Sequence, residues 1–143
     1  MNINAILVPV DGSPSSLHAV EFAIQAAQGR DNITLHILSV QAPIISGNAK
    51  RFISAEIVAE YYQDEGRRAL EPAKAILDKS GVTYQEHIEI GQIAETIYHF
   101  TKKHECGLIA MGTRGLGSVA GLLMGSITTK VLSLVDVPVT LVK

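Results

Sequence analysis

Four small residues near the end of the sequence have the types and spacing that a phosphate-binding loop needs. Gly112 and Gly115 follow the short apolar segment Leu108–Met111, and Gly125 and Ser126 precede a stretch that begins like a helix. A glycine lets the backbone approach an anion because it has no Cβ, and the free N–H groups at a helix start point towards that anion. We therefore predict that this part of the chain binds phosphate.

The spacing differs from those of two widespread phosphate-binding sequences. Gly125-Ser126 is not part of the Gly-Lys-Ser/Thr run that a Walker loop requires. The glycines also span far more residues than the six of the dinucleotide-binding fingerprint. The sequence thus predicts a phosphate loop of a different kind.

Asp11 is the carboxylate whose position suggests a role beside that loop. It follows the apolar run Ala5–Val10 and precedes Gly12-Ser13-Pro14. In a binding site, its carboxylate would hydrogen-bond ribose hydroxyls or help to hold a divalent cation that bridges phosphates. In a purely structural role, the same side chain would cap the first helix or close a turn. Both roles are compatible with the sequence.

The elements that must position these residues alternate between strand and helix patterns, as in a mainly parallel sheet covered on both faces. The predicted strands are Ala5–Val10, Ile33–Val40, Val82–Ile90, Leu108–Met111 and Pro138–Val142. The predicted helices run from the N-cap Ser13 to Gly29, from about Val58 to Gly81, from Gln92 to His104, and onward from Gly125 or Ser126. Pro72 is expected to kink or divide the second helix, and residues 41–52 are predicted to form a mobile loop. The interpretation is one α/β domain over residues 1–143, a Rossmann-like three-layer sandwich.

A site in such a sheet is expected beyond the carboxyl ends of the strands, where the winding direction reverses. With right-handed crossovers, the strand order 3-2-1-4-5 places that reversal between the first and the fourth strand. Asp11 follows the first of these strands, and the glycine loop follows the fourth. The order therefore predicts that the two meet at one edge of the sheet.

The sequence resembles the universal stress protein family over nearly its whole length. The resemblance rests on Ile6–Ser13, Leu108–Gly115, Gly125-Ser126 and Pro138–Val142. ATP-binding members of that family carry Gly-x2-Gly-x9-Gly-Ser/Thr, and the four small residues described above fit this motif without a gap. The resemblance implies a stress-response protein that binds ATP together with Mg²⁺ or Mn²⁺.

The resemblance also implies roles for individual residues. Asp11 would lie near the ribose and the phosphates, close to a nucleotide-bound cation, and Val40 would meet the adenine edge through its backbone. Gly112 would face the ribose. The phosphates would be held by Gly115, Gly125, Ser126, Ile127 and Thr128, and the predicted set is completed by Pro9, Met111 and Arg114.

The predicted function is a nucleotide-dependent regulator rather than a fast enzyme. Hydrolysis of ATP requires a positioned water, a group that orients it and concentrated positive charge at the γ-phosphoryl group, and only Arg114 suggests any of these. One alternative is a slow ATPase, or a protein that phosphorylates itself on Ser126 or Thr128. Another is a dimeric scaffold that binds a different adenine nucleotide such as AMP.

Composition narrows the class of partner. The net charge of −2 gives no reason to expect nucleic-acid binding, and no uncharged stretch is long enough to span a membrane. The single cysteine, Cys106, and the absence of a signal peptide at Met1 lead us to expect a cytoplasmic protein. The five histidines show no metal-ligand spacing, so structural or exposed roles are predicted for them.

The last strand is predicted to form a homodimer. As the fifth strand in the order 3-2-1-4-5 it lies at an edge, where unpaired backbone groups are a template for a second chain. The family resemblance implies the same contact, with the last strands of two subunits antiparallel about a two-fold axis. The expected interface residues are Pro138, Val139, Thr140, Leu141 and Val142.

Overall fold

A computed structural model of the chain describes residues 3–43, 47–113 and 125–143, in which parallel strands alternate with helices. The strands are β1 (Ala5–Pro9), β2 (Thr34–Gln41), β3 (Tyr84–Ile90), β4 (Leu108–Gly112) and β5 (Val139–Val142). The helices are α1 (Pro14–Ala27), α2 (Gly47–Lys50), α3 (Ala55–Ser80), α4 (Ile93–Lys103) and α5 (Ser126–Leu134).

The strands form one sheet in the order β3-β2-β1-β4-β5, and every neighbouring pair is parallel. This confirms the predicted fold class and strand order. The two central strands, β1 and β4, pair with Ile6 opposite Leu108 and Leu7 opposite Ile109. Continuing that register by four residues places Val10 beside Gly112, so the turn after β1 and the end of β4 meet at one edge.

Alternating residues of the central strands build two hydrophobic cores, one on each face of the sheet. Ile6 and Val8 of β1, and Val10 just after it, belong to the core that packs against α1 and α3. Ala5 and Leu7 of the same strand belong to the core beneath α4 and α5. Because both faces are covered there, the central strands β1 and β4 are apolar along their whole length, which is typical of a central parallel strand.

Two helices begin at serine caps. Ser13 precedes α1 in an extended conformation, and its side chain accepts a hydrogen bond from Ser16 N–H at 3.3 Å. Pro14 occupies the first helical position, as predicted, where its missing N–H costs nothing. Ser54 caps α3 in the same way, through a 3.2 Å bond from Ile57 N–H.

Two predictions about α3 and its approach were wrong in part. Pro72 does not divide α3, which runs unbroken from Ala55 to Ser80, and the alternative of a kink stays a prediction. The helix tolerates the lost N–H because Leu70, Ala73 and Leu77, on both sides of the proline, are packed in the core. The segment predicted as a loop over residues 41–52 contains the short helix α2 (Gly47–Lys50). One helical turn carries too little periodicity to be recognised from sequence.

A glycine sets how closely α3 lies on the sheet. A Cβ at Gly66 would collide with the side chain of Ile88 on β3, since it would lie 2.9 Å from Ile88 Cγ1 and closer still to Cγ2. This close approach fixes the neighbouring residues of α3 over the carboxyl end of β2.

No helix within residues 3–43, 47–113 and 125–143 has the length and apolar character needed to cross a membrane.

Candidate nucleotide site

The candidate site lies at the carboxyl edge of the sheet, where β1 and β4 are neighbours. From β1 the chain winds outwards through β2 to β3, and it then crosses back to β4 and β5. The winding direction therefore reverses between β1 and β4, as predicted, and in open α/β sheets this reversal is where ligands bind.

A cavity of about 310 Å³ opens at this edge. This volume is within the ~300–1,000 Å³ typical of small-molecule sites. The end of β1, the end of β2 and one face of α3 form its walls, through Val10, Asp11, Ser39, Val40, Gln41, Glu65, Arg68 and Ala69. Two of the predicted residues, Asp11 and Val40, thus share one cavity.

The peptide group of Val40 faces this cavity from the end of β2. The register between β1 and β2 ends at Pro9 and Leu38, and Val10 N–H donates to Leu38 C=O at 2.9 Å. Successive residues of a strand direct their N–H and C=O groups to opposite sides. Leu38 and Val40 therefore direct theirs to the same side, towards β1. Because β1 has ended there, the N–H and C=O of Val40 offer a donor and an acceptor to a planar heterocycle.

Asp11 has a structural role in addition to lining the cavity. Its Oδ1 accepts a hydrogen bond from Ser13 N–H at 2.9 Å, which closes the turn between β1 and α1. Gly12, inside this turn, has φ +83°, a conformation that favours glycine. The turn-closing role considered from the sequence is therefore present, and it orients the carboxyl group at the cavity wall.

Gly112 is required by packing against α1. A Cβ at this position would lie 2.7 Å from the carbonyl carbon of Ser15, 2.9 Å from its oxygen, and closer still to its Oγ. Ser15 is itself fixed, because its Oγ donates to Val142 C=O at 3.1 Å. The first glycine of the motif therefore brings the start of α1 against the end of β4, and its predicted contact with ribose remains a prediction.

Gly125 and the residues after it form an open helix start. Gly125 is the N-cap of α5 and, having no side chain, does not itself bond the first N–H groups of the helix. The first backbone bond of the helix runs from Thr129 N–H to Gly125 C=O at 3.1 Å. The N–H groups of Ser126, Ile127 and Thr128 precede that bond, so they are the donors that a helix start presents to an anion.

The side chains of the predicted set divide into buried and exposed ones. Met111 and Thr128 are buried, with exposed fractions of 0% and 3%, and Pro9 is buried in β1. Ser126 is exposed at the first position of α5. Any contact of Met111 or Pro9 with a ligand would thus be through the backbone. Arg114 and Gly115 lie outside the described residues.

Six of the eight residues that line the cavity were not predicted from the sequence, and two of these six are charged. Glu65 and Arg68 reach the cavity from α3, and the Arg68 guanidinium is 3.1 Å from Glu65 Oε1. Both stand in the largely polar stretch of residues 63–68, so the sequence shows them only as part of a solvated helix face. Their position depends on how α3 crosses β2, which a local pattern does not encode.

Lys130 and Cys106 are not part of the candidate site, the first because it pairs with a residue of α4 and the second because it is buried. Lys130 of α5 lies 2.5 Å from Glu95 of α4, and this hydrogen bond lowers the pKa of the Glu95 carboxyl. Lys130 is thus directed at α4. Cys106 is buried, and burial raises the pKa of its thiol to about 11, which keeps it protonated at neutral pH.

A second cavity, of about 340 Å³, does not have the chemistry of a phosphate site. Its lining is mainly apolar and consists of Ile53, Ala55, Val58, Ala59, Tyr62 and Ile90. It carries no charged side chain among those lining residues. It therefore serves as the natural comparison site for ligand-binding experiments.

Comparison with known sequences identifies relatives along the whole chain. The model of the universal stress protein family matches residues 2–143. A universal stress protein of Methanocaldococcus jannaschii is 32% identical over 139 residues, which cover 96% of this chain and 81% of that protein. A longer universal stress protein of Mycobacterium tuberculosis is also 32% identical, and this chain spans 47% of its length.

Solved structures show the same architecture. Hypothetical protein MJ0577 superimposes with a TM-score of 0.85 at 22% identity, over 100% of this chain and 97% of that one. A universal stress protein solved in complex with cAMP superimposes with a TM-score of 0.74 at 25% identity, over 100% and 99% of the two chains.

Proposed function

Because the chain belongs to the universal stress protein family, we propose that it is a cytoplasmic adenine-nucleotide-binding regulator whose partner interactions change when the nucleotide binds. The observation that carries the proposal is the cavity at the carboxyl ends of β1 and β2, on the same edge of the sheet as the reversal between β1 and β4, with Val40 and Asp11 in its wall. The proposal places one nucleotide in one domain formed by residues 1–143.

The proposed arrangement divides the nucleotide among three groups of residues. The adenine edge pairs with the N–H and C=O of Val40, and the ribose lies against Asp11. The phosphates lie at the start of α5, on the N–H groups of Ser126, Ile127 and Thr128. Arg114 and Gly115 complete the phosphate loop in this proposal.

ATP with Mg²⁺ or Mn²⁺ is the proposed ligand. Three helix-start amides and a helix dipole favour a ligand with several phosphate charges. A divalent cation would reach the protein through the phosphates, with Asp11 as its nearest carboxylate. The complex of a similar protein with cAMP supports an adenine nucleotide as the ligand class. Calorimetric titration with Mg-ATP, AMP and cAMP tests the proposal, and we expect saturable one-site binding that is tightest for Mg-ATP.

A slow phosphoryl-transfer activity is the alternative, and the position of Ser126 favours it over a scaffold with an empty loop. The Ser126 hydroxyl is exposed at the helix start, whereas Thr128 is buried. Ser126 is therefore the hydroxyl that would reach a terminal phosphate. Steady-state phosphate release by the wild-type protein, compared with a Ser126→Ala variant, separates an enzyme from a binding protein.

Asp11→Ala is expected to weaken nucleotide binding by about fivefold, because a lost hydrogen bond to a ligand costs on the order of 1 kcal/mol. It should also lower stability slightly, since Ser13 N–H loses its acceptor. Asp11→Asn is the matched control, because its amide oxygen still accepts from Ser13 N–H while the charge is removed. Calorimetry and thermal unfolding of both variants check the prediction. Unchanged affinity in a destabilised Asp11→Ala protein would assign Asp11 to the turn alone.

We also propose that β5 forms the interface of a homodimer. Val139 and Leu141 pack into the core beneath α5, and Val142 packs on the α1 side. All four residues of β5 are half-buried. With β4 on one side, the other side of β5 is an edge of the described sheet and offers backbone groups to a second copy. Pro138, just before the strand, leaves the N–H groups of Val139–Val142 in place.

Thr140→Lys is expected to dissociate this dimer and to leave the monomer folded. In an antiparallel contact about a two-fold axis, a lysine near the centre of the strand faces its own symmetry mate, and like charges repel. Light scattering at micromolar concentration measures the mass, and circular dichroism checks the fold. Thr140→Val is the control of similar size. A wild-type protein that is monomeric under these conditions would contradict the dimer.

A further inference from the structure

Three of the histidines that show no pattern in the sequence converge between the sheet and α4. His36 is on β2, His87 is on β3, and His104 is the C-cap of α4. The three ring centroids are 5.2–5.3 Å apart in every pair. Phe100 stacks on His104 with 4.0 Å between the centroids. The cluster thus joins three elements through ring contacts.

A hydrogen bond inside the cluster depends on the protonation state. His36 Nδ1 lies 3.0 Å from His87 Nε2. One of these nitrogens must donate and the other must accept, so the bond requires a neutral ring on the accepting side. If both rings are protonated, two N–H groups face each other and the bond is lost. While this hydrogen bond is kept, at most one of the two rings, His36 or His87, can be protonated to the cation.

The surroundings oppose protonation. His36 is buried, with an exposed fraction of 7%. Burial is the main cause that lowers the pKa of His36, followed by the charge of His104. The pKa of His87 is lowered to about 4, first by burial and then by the charges of His36 and His104.

Two charged side chains modify this balance. Glu86 on β3 raises the pKa of His87, and Lys103 on α4 lowers it, so they act in opposite directions. Burial outweighs the carboxylate. In residues 3–43, 47–113 and 125–143, no group of three or more His, Cys, Asp or Glu side chains has a geometry that could hold a metal ion. The cluster is therefore not arranged as a metal site.

We propose that His36, His87 and His104 form a proton-sensitive latch, which fastens the edge strand β3 and the end of α4 to β2 at neutral pH and releases them as the pH falls. β3 is the strand to be released because it pairs with β2 alone and lies at the edge of the sheet. The opened form exposes the rings to water, where they bind protons at an ordinary pKa of about 6.5. The latch is independent of the nucleotide proposal.

The sign of the pH effect follows from the lowered pKa values. Below about pH 6.5 the opened form binds more protons than the closed form, so the closed form is fully stable above that pH and loses stability as the pH falls towards 4. For His87 alone, values of 6.5 opened and about 4 closed favour opening about 30-fold more at pH 5 than at pH 7.5. Because this ring is only partly buried, we expect about tenfold.

Hydrogen exchange at pH 7.5 and pH 5.0, corrected for the intrinsic rates, tests the latch. Protection factors of residues 84–90 and 100–104 are expected to fall about tenfold at pH 5.0, while those of β1 and β4 stay unchanged. His87→Gln should remove most of the pH dependence. His99→Gln, which changes an exposed histidine on α4, should retain it. A uniform loss of protection in all strands, or the same pH dependence in His87→Gln, would overturn the proposal.

A measurement on the wild-type protein decides the matter if His87→Gln does not fold. The ring proton resonances of the five histidines are followed by NMR between pH 8 and pH 4. We expect His36 and His87 to titrate clearly below 6.5, the ordinary value for a histidine. Midpoints near 6.5 for both rings would show that they are independently solvated and that no latch exists.

Discussion

Gly125→Val is expected to abolish nucleotide binding, with an affinity loss of at least about 100-fold, equivalent to about 2.7 kcal/mol. The valine side chain would stand beside the N–H groups of Ser126, Ile127 and Thr128, where the phosphates must approach. The backbone itself accepts the change. Gly125 has φ −76° and ψ 164°, an extended conformation that any residue adopts, so the expected loss comes from the added side chain and not from a strained backbone.

The control for this variant is Gln92→Val. Gln92 is the N-cap of α4, also in an extended conformation and also without a side-chain hydrogen bond to the cap. Both variants therefore place valine at a comparable helix start, and only one of them is in the proposed site. Calorimetric titration with Mg-ATP should show normal binding by Gln92→Val. Unchanged affinity in a folded Gly125→Val protein would remove the start of α5 as the phosphate site.

Gly112→Ala is expected to lower the free energy of unfolding by about 2–3 kcal/mol, the upper part of the range for an overpacked core. The added Cβ would lie under 3.0 Å from backbone atoms of Ser15, which cannot turn aside as the end of a flexible side chain can. Relief requires α1 to shift on β4, which would strain the bond from Ser15 Oγ to Val142 C=O.

Denaturant unfolding measures this change, with Gly47→Ala as the matched control. Nothing lies within 4 Å of the Cβ that alanine would add at Gly47, so that variant should be nearly neutral. A Gly112→Ala protein as stable as the wild type would show that α1 and β4 do not approach this closely. Since a Gly112 variant is expected to disturb the packing of α1 on β4, weaker nucleotide binding by such a variant would not by itself establish a contact between Gly112 and the ligand.

The fold was largely predictable because the signals that determine it are local. The apolar run at Ala5–Val10, the serine and proline at the start of α1, and the glycine after α3 each mark an element without reference to the rest of the chain. The strand order 3-2-1-4-5 was proposed together with right-handed crossovers, and the sheet has this order. The undivided α3 was not predictable, because packing on both sides of Pro72 overrides the local preference.

The candidate site was predictable only in part, because many of its contacts are not local in the sequence. The sequence placed Asp11 at the site and the family resemblance added Val40, and the structure puts both in one cavity. It did not show that Gly112 is held by packing against Ser15, or that Arg68 reaches the cavity from α3. These contacts join residues that are far apart in the chain. The histidine cluster was not predictable either, because it depends on the register of β2 with β3 and on the position of the end of α4.

The most direct test of the nucleotide proposal is an NMR titration of the nucleotide-free protein with Mg-ATP, followed through the backbone amide resonances. We expect saturable shifts at Val40 and at Ser126, Ile127 and Thr128, with little change around the apolar cavity at Ile53, Tyr62 and Ile90. Absence of saturable shifts up to millimolar Mg-ATP, or shifts centred on the apolar cavity, would contradict the account.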